Sequence, residues 1–326
     1  MQTSLYTNYV GLNLQNPIIV SSSGLTNNIE RIKAAQQAGA GAIVLKSIFE
    51  EQLNIEANEL LTYNEYPEAA DYIRNYSKNN SLEKYIKLIS DAKSEVKIPI
   101  FASINCVSVK DWTKFAKQIE SAGADAIELN IYILPTDKNK KGSRYEDAYF
   151  DIVKQVSKSI KIPVIAKIGA NFSNLTAAVE QLKNAGAKAV VLFNRTYEPD
   201  IDIENLKITA AEVFSSPSDI RNSLRWVAIT SAIQNAPQIS ASTGIHDGKA
   251  VVKQLLAGAT TVQLCSVLYK NGLEHIKLVS DFLLSWMAKH NYTTIADFRG
   301  KMNYKNIKDP LMYERVQFMK YYSSID

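Results

Sequence analysis

The chain has 326 residues, 46% hydrophobic and 21% charged, which is enough apolar material for a large core and too much for a disordered chain. Its net charge of +4 comes from interleaved lysines and acids without a basic stripe, so no nucleic-acid partner is expected. Two cysteines, Cys106 and Cys265, and three histidines without ligand spacing argue against a disulfide framework and a metal site. No apolar run reaches the roughly 18 residues of a membrane span. The opening MQTSLYTNYVGLNLQ has neither the basic start nor the apolar centre of a signal peptide, so a cytoplasmic location is expected.

In chain order, the first apolar run is NPIIVSS at 16–22, where a proline at the first strand position keeps a helix from running in. A helix-period segment at 30–38 follows. It ends in AGAGAIVL at 38–45, where Ala-Gly stops the helix and a buried strand begins at once. The same two phrases then alternate: IPIFASI at 98–104, AGADAIEL at 122–129, IPVIAKI at 162–168, AGAKAVVL at 185–192, APQISAS at 236–242 and AGATTVQL at 257–264. Strands are expected near 17–23, 42–47, 99–105, 126–131, 163–169, 189–195, 238–244 and 261–267. Helical segments are expected between them at 110–122, 146–160, 173–185, 219–234, 247–257 and 271–289.

Eight continuously apolar strands in unbroken alternation with helices predict an α/β fold of the (β/α)8 TIM-barrel type, with a doubly wound sheet as the runner-up. Insertions at 48–80, acidic and tyrosine-rich, and at 197–216 leave the C-terminal ends of strands 2 and 6, the face where barrels build sites. One barrel domain is expected over 1–326, with an extension from about 291 to 326 that packs on the barrel or on a partner, its tyrosines and methionines favouring a docked tail over a free one.

Polar residues at the ends of apolar strands mark the mouth, because a barrel core excludes them without cause. They include Lys46, Asn105, Asn130, Lys167 and Asn194. Small residues Ser242, Thr243 and Gly244 after strand 7, and Cys265 and Ser266 after strand 8, leave the space in which barrels hold phosphate; Asp247 is placed to cap the next helix. Amides, buried lysines and a phosphate pocket suit a phosphorylated planar cofactor.

The order SSSG, VLKS, SIN, ELN, IAKIG, FN, STGI and AGATTVQLCS, from about residue 5 to 303, resembles the soluble dihydroorotate dehydrogenases, which are FMN-containing (β/α)8 barrels. The resemblance implies that Ser22, Ser23 and Gly24 lie along the flavin, that Lys46 and Ser47 contact flavin and substrate, and that Asn105 and Asn130 approach ring or substrate. It implies further that Lys167 meets the pyrimidine edge of the flavin and that Asn194 faces flavin or substrate. Ser216, Ser242, Thr243, Gly244, Cys265 and Ser266 would surround the phosphate. A homodimer is also implied. The implied reaction removes a proton from a dihydropyrimidine ring carbon while a hydride passes to flavin.

The family carries Ser-Cys-Pro-Asn after the strand 4 asparagine, with the cysteine as base. Here Asn130 is followed by Ile131, Tyr132, Ile133, Leu134, Pro135 and Thr136, so the cysteine position is aliphatic. The family's Asn-x-x-Gly-Leu-Pro-Asn substrate loop is missing from 48–80, and strand 6 ends Asn194-Arg195-Thr196. The catalytic candidates are therefore Tyr132, Lys46 and Asn130, acting on dihydroorotate or a related dihydropyrimidine or cyclic amide. A phenol ionises near about pH 10 and needs a neighbouring cation to act as a base at neutral pH. Three alternatives stay open: a displaced thiol at Cys106, a Schiff-base lyase or aldolase using Lys167 or Lys46, and a flavin-binding subunit without catalysis.

Overall fold

The computed structural model describes residues 3–49, 70–106 and 112–316. Eight parallel strands are present: β1 (Ile18–Val20), β2 (Ala42–Val44), β3 (Ile100–Cys106), β4 (Ala126–Ile131), β5 (Val164–Ile168), β6 (Ala189–Leu192), β7 (Gln238–Ser242) and β8 (Thr261–Leu264). Each pairs with the next. β8 returns to β1 through Val262↔Ile18, Gln263↔Ile19 and Leu264↔Val20, so the sheet closes on itself as the expected barrel.

The longer helices among the described residues are α1 (Ile29–Gln37), α2 (Ala70–Glu95), α3 (Trp112–Ser121), α4 (Gly142–Ser159), α5 (Leu175–Asn184), α6 (Ile220–Thr230), α7 (Gly248–Ala257) and α8 (His275–Lys289). The repeated Ala-Gly joint works as its residues require. Gly39, Gly123, Gly186 and Gly258 follow α1, α3, α5 and α7 with φ between +94° and +116°, a left-handed turn that a β-carbon resists.

Alternate strand residues divide between two cores, as a period of two demands. Ile18, Val20, Ile43, Ile127, Leu129 and Val190 face the helices, while Ile19, Val44, Phe101, Ile165 and Val191 fill the barrel. Tyr9 and Leu14, from the hairpin Thr7–Tyr9 with Leu12–Leu14, join the inner cluster. Gln238 at the start of β7 accepts a hydrogen bond from Val10 N at 2.6 Å, which puts this hairpin at the N-terminal end of the barrel.

The first insertion is shorter than its composition suggests. α2 begins at Ala70, inside the expected 48–80 segment, and buries Leu82, Tyr85, Ile89 and Ala92 at helical spacing; residues 50–69 lie outside the described residues. The second insertion carries an exposed hairpin, Pro199–Asp202 paired with Lys207–Ala210. The C-terminal extension docks as far as it is described: Gly300 N and Met302 N donate to Leu255 O and Leu256 O of α7, and Tyr304 N donates to Ala228 O of α6. Among the described residues no helix is long and apolar enough to cross a membrane.

Candidate active site

One strand step beyond the apolar interior, the inward positions turn polar together: Ile19 gives way to Ser21, Phe101 to Ser103, Ala126 to Glu128 and Ile165 to Lys167. On β8 the matching residue is Gln263. This layer forms a floor. Lys167 is 5% exposed and Glu128 0%. Lys167 Nζ donates to Gln263 Oε1 at 2.8 Å and to Ser21 Oγ at 3.0 Å, with Glu128 Oε1 3.5 Å away. Gln263 Nε2 donates to Glu128 Oε2, so a single glutamine joins the two charges. Among the described residues, Glu128 Oε1 and Asn130 Oδ1 are buried acceptors without a hydrogen-bond donor.

A hydroxyl chain braces the adjoining wall. Ser47 Oγ lies 3.0 Å from Ser22 Oγ and 2.7 Å from Ser103 Oγ, and Ser47 N donates to Ser22 Oγ at 2.9 Å. Tyr85 of α2 accepts from Ser103 N at 2.8 Å and donates to Ser103 O at 3.1 Å. It satisfies β3 between the end of β2 and the short strand Ile48–Phe49, which pairs with Ile104 and Asn105. Burial raises the Tyr85 hydroxyl pKa well above its ordinary value, so it remains a neutral donor.

Two cavities adjoin this floor. The larger, about 1120 Å³, is bordered by Lys46, Ser47, Asn105, Asn130 and Tyr132. The smaller, about 440 Å³, is bordered by Gly24, Ser242, Thr243, Gly244, Cys265 and Ser266. Ser22, Ser23, Lys167 and Asn194 border both, so the two join into one trough. Fifteen of the sixteen residues expected to hold the cofactor or act in catalysis, Cys106 aside, therefore border one mouth.

Ser216 is the exception. Its N–H donates to Asp219 Oδ2 at 2.8 Å and its hydroxyl pairs with Ser218, while the neighbouring Ser215 forms the wall. Ser215 N donates to Ser266 Oγ at 3.0 Å, and Ser215 Oγ lies 3.0 Å from His246 Nε2. Burial, then the charge of Lys270, holds His246 below the ordinary imidazole pKa, which favours the neutral ring. Burial pushes the Cys265 thiol up, only partly offset by Lys167. The side chain of Cys106 lies outside the described residues.

Thr243 and Gly244 turn with φ of +73° and +77°, and a β-carbon on Gly244 would stand 2.0 Å from Ile220 N, so only glycine fits there. At the larger cavity the ring of Tyr132 packs over Gly169, where a β-carbon would come within 3.0 Å of it. Asn171 Nδ2 donates to Tyr132 Oη at 3.3 Å, and Tyr149 Oη accepts from Ile133 N at 2.9 Å, steadying the loop after β4. Arg195 holds the return arm of the second insertion: Nε donates to Val213 O at 3.0 Å, Nη2 to Glu212 O, and Nη1 lies 3.4 Å from Asp219 Oδ2. Glu128, Gln263, Ser215 and Asn171 escape a reading of strand ends alone, whereas Ser21 opens the SSSG run at the end of strand 1. For Glu128 and Gln263 the signal was available, since each stands two residues before a chosen one, Asn130 or Cys265, and so on the same strand face.

The comparisons agree with this architecture. Residues 4–287 match the family model described as Dihydroorotate dehydrogenase. The catalytic subunit of dihydroorotate dehydrogenase B (NAD(+)) from Thermoplasma volcanium is 28% identical over 91% of this chain and 98% of its own length. That from Methanocaldococcus jannaschii is 27% identical over 89% of this chain and 95% of its own. The chloroplastic dihydropyrimidine dehydrogenase (NADP(+)) of Arabidopsis thaliana is 23% identical over 89% of this chain and 75% of its own. With a single family model covering most of a closed eight-stranded barrel, the chain belongs to the dihydroorotate dehydrogenase family of oxidoreductases acting on CH–CH bonds.

Proposed function

We propose that the chain binds FMN across the joined cavities and oxidises dihydroorotate or a related dihydropyrimidine or cyclic amide. The observation that carries this reading is the buried Lys167 ammonium in a floor of amides and hydroxyls, beside Asn130 Oδ1, which has no hydrogen-bond donor among the described residues. A cation beside acceptors fits the edge of a planar ring that carries both carbonyls and N–H groups. Gly24, Ser242, Thr243, Gly244, Cys265 and Ser266 leave the smaller cavity free of bulk for a phosphate-bearing chain. When bound, FMN supplies the hydride acceptor, which no side chain here can be.

The chain's own residues position the substrate and take its proton. Asn105, Asn130 and Asn194 offer donors and acceptors to a cyclic amide, and Tyr132 Oη as the phenolate, or Lys46 Nζ as the free amine, would take the proton released from the ring carbon. Asn171 directs the phenol by donating to it. The Schiff-base alternative is set aside by the family assignment and, for Lys167, by an ammonium already committed to Ser21, Gln263 and Glu128.

The test is to identify the cofactor of the purified protein and then follow its anaerobic reduction by dihydroorotate and by related cyclic amides. Tyr132→Phe is expected to slow reduction by about 10² to 10⁴-fold, the usual contribution of a positioned base. Unchanged kinetics would remove the tyrosine from the mechanism and leave Lys46. Bound FMN that none of these compounds reduces would support a subunit without catalysis. The homodimer implied by the resemblance is part of the same proposal, and a monomer mass by light scattering would refute it.

A further inference from the structure

Glu128 is the least expected group in the floor. It stands on β4 with 0% exposure, and one carboxylate oxygen has no hydrogen-bond donor among the described residues. That oxygen faces Lys167 Nζ at 3.5 Å as an ion pair, and Glu128 borders the larger cavity together with that lysine. Gln263 holds the pair in place by donating to one member and accepting from the other.

Charges this poorly solvated act on their surroundings with little screening. Lys167 alone would present a full positive charge to the trough. With Glu128 beside it, the pair presents a dipole with small net charge.

Resting on the FMN reading above, we propose that Glu128 is a positioning residue. Its charge offsets that of Lys167 and so limits how strongly the floor attracts the negative charge that bound FMN gains on reduction. Glu128 thus sets the reduction potential of the cofactor without contacting the substrate. The Glu128→Gln substitution keeps the shape and an acceptor for Gln263 while removing the charge.

The experiment measures the two-electron midpoint potential of FMN-loaded wild type and E128Q, together with FMN affinity by fluorescence titration and thermal stability. E128Q is expected to favour reduced over oxidised FMN at least tenfold more than wild type does, a rise of 29.6 mV or more for a two-electron couple. Glu128→Asp, which keeps the charge, should return most of the shift. If E128Q only melts earlier and weakens oxidised and reduced FMN equally, its potential stays at the wild-type value and the inference is overturned. Should E128Q fail to fold, the comparison is between Lys167→Gln and the double variant E128Q/K167Q; the double must show the higher potential by the same factor, and equality overturns the inference. A wild-type protein that takes up no FMN would overturn the FMN reading itself, an outcome distinct from FMN that binds with an unmoved potential.

Discussion

Lys167→Met should be among the most destabilising single changes available in the barrel, and the structure indicates how much. It removes two charge-assisted hydrogen bonds, at 2.8 and 3.0 Å, and the cation 3.5 Å from Glu128. Glu128 is 0% exposed, so without the ammonium its charge is left poorly solvated. Stranding one member of a buried pair costs about 3–5 kcal/mol. That is a large share of the roughly 5–15 kcal/mol by which a domain is stable. Removing both charges, as in Glu128→Leu with Lys167→Met, leaves an apolar floor and should recover most of the loss, because the desolvation of both ions disappears as well. The assay is urea unfolding of cofactor-free protein followed by fluorescence and circular dichroism. A loss below about 1 kcal/mol for K167M, or a double variant as unstable as the sum of the singles, would show that the pair is not desolvated as described.

Tyr85→Phe leaves Ser103 N without an acceptor and Ser103 O without a donor inside the barrel wall, and should cost about 1–3 kcal/mol in the same unfolding assay; an unchanged midpoint would deny α2 its role in completing β3. Gly244→Ala places a β-carbon 2.0 Å from Ile220 N at φ +77°, so it should lower the melting temperature and weaken FMN uptake together, and wild-type affinity would argue against the small cavity as the phosphate pocket. His246 has a folded pKa below its ordinary 6.5, so its contribution to stability is complete above that value and declines as pH falls through the lower folded pKa. His246→Asn should flatten that acid-side decline in a series of urea midpoints from about pH 8 to 5, and a parallel decline in both proteins would exclude the histidine as its source.

Much of the barrel was legible because its signals are local. A glycine after each Ala at the joints at 39, 123, 186 and 258 stops a helix through its own backbone freedom, and a proline at the head of a strand acts within one residue. The extent of the first insertion was not legible in the same way. Tyrosines and acids between 48 and 80 read as an insertion after strand 2, yet α2 starts at Ala70, because burying Leu82, Tyr85, Ile89 and Ala92 against the barrel stabilises a helix that composition does not announce.

For the site, the sequence alone determined that Lys46, Asn105, Asn130 and Lys167 face inward at their strand ends, since a strand's alternation commits its inward side chains without reference to the rest of the chain, whereas Asn194 shares the parity of the helix-facing Val190 and Leu192 and borders the mouth beyond the end of β6. Only the tertiary structure decided that Glu128, Gln263, Lys167 and Ser21, drawn from four strands up to 242 residues apart, form one hydrogen-bonded floor. It also decided that Ser215 rather than Ser216 walls the smaller cavity. The physical reason is that closure of the sheet sets which strands face each other across the barrel and how their residues are staggered, and that arrangement is a property of the whole ring.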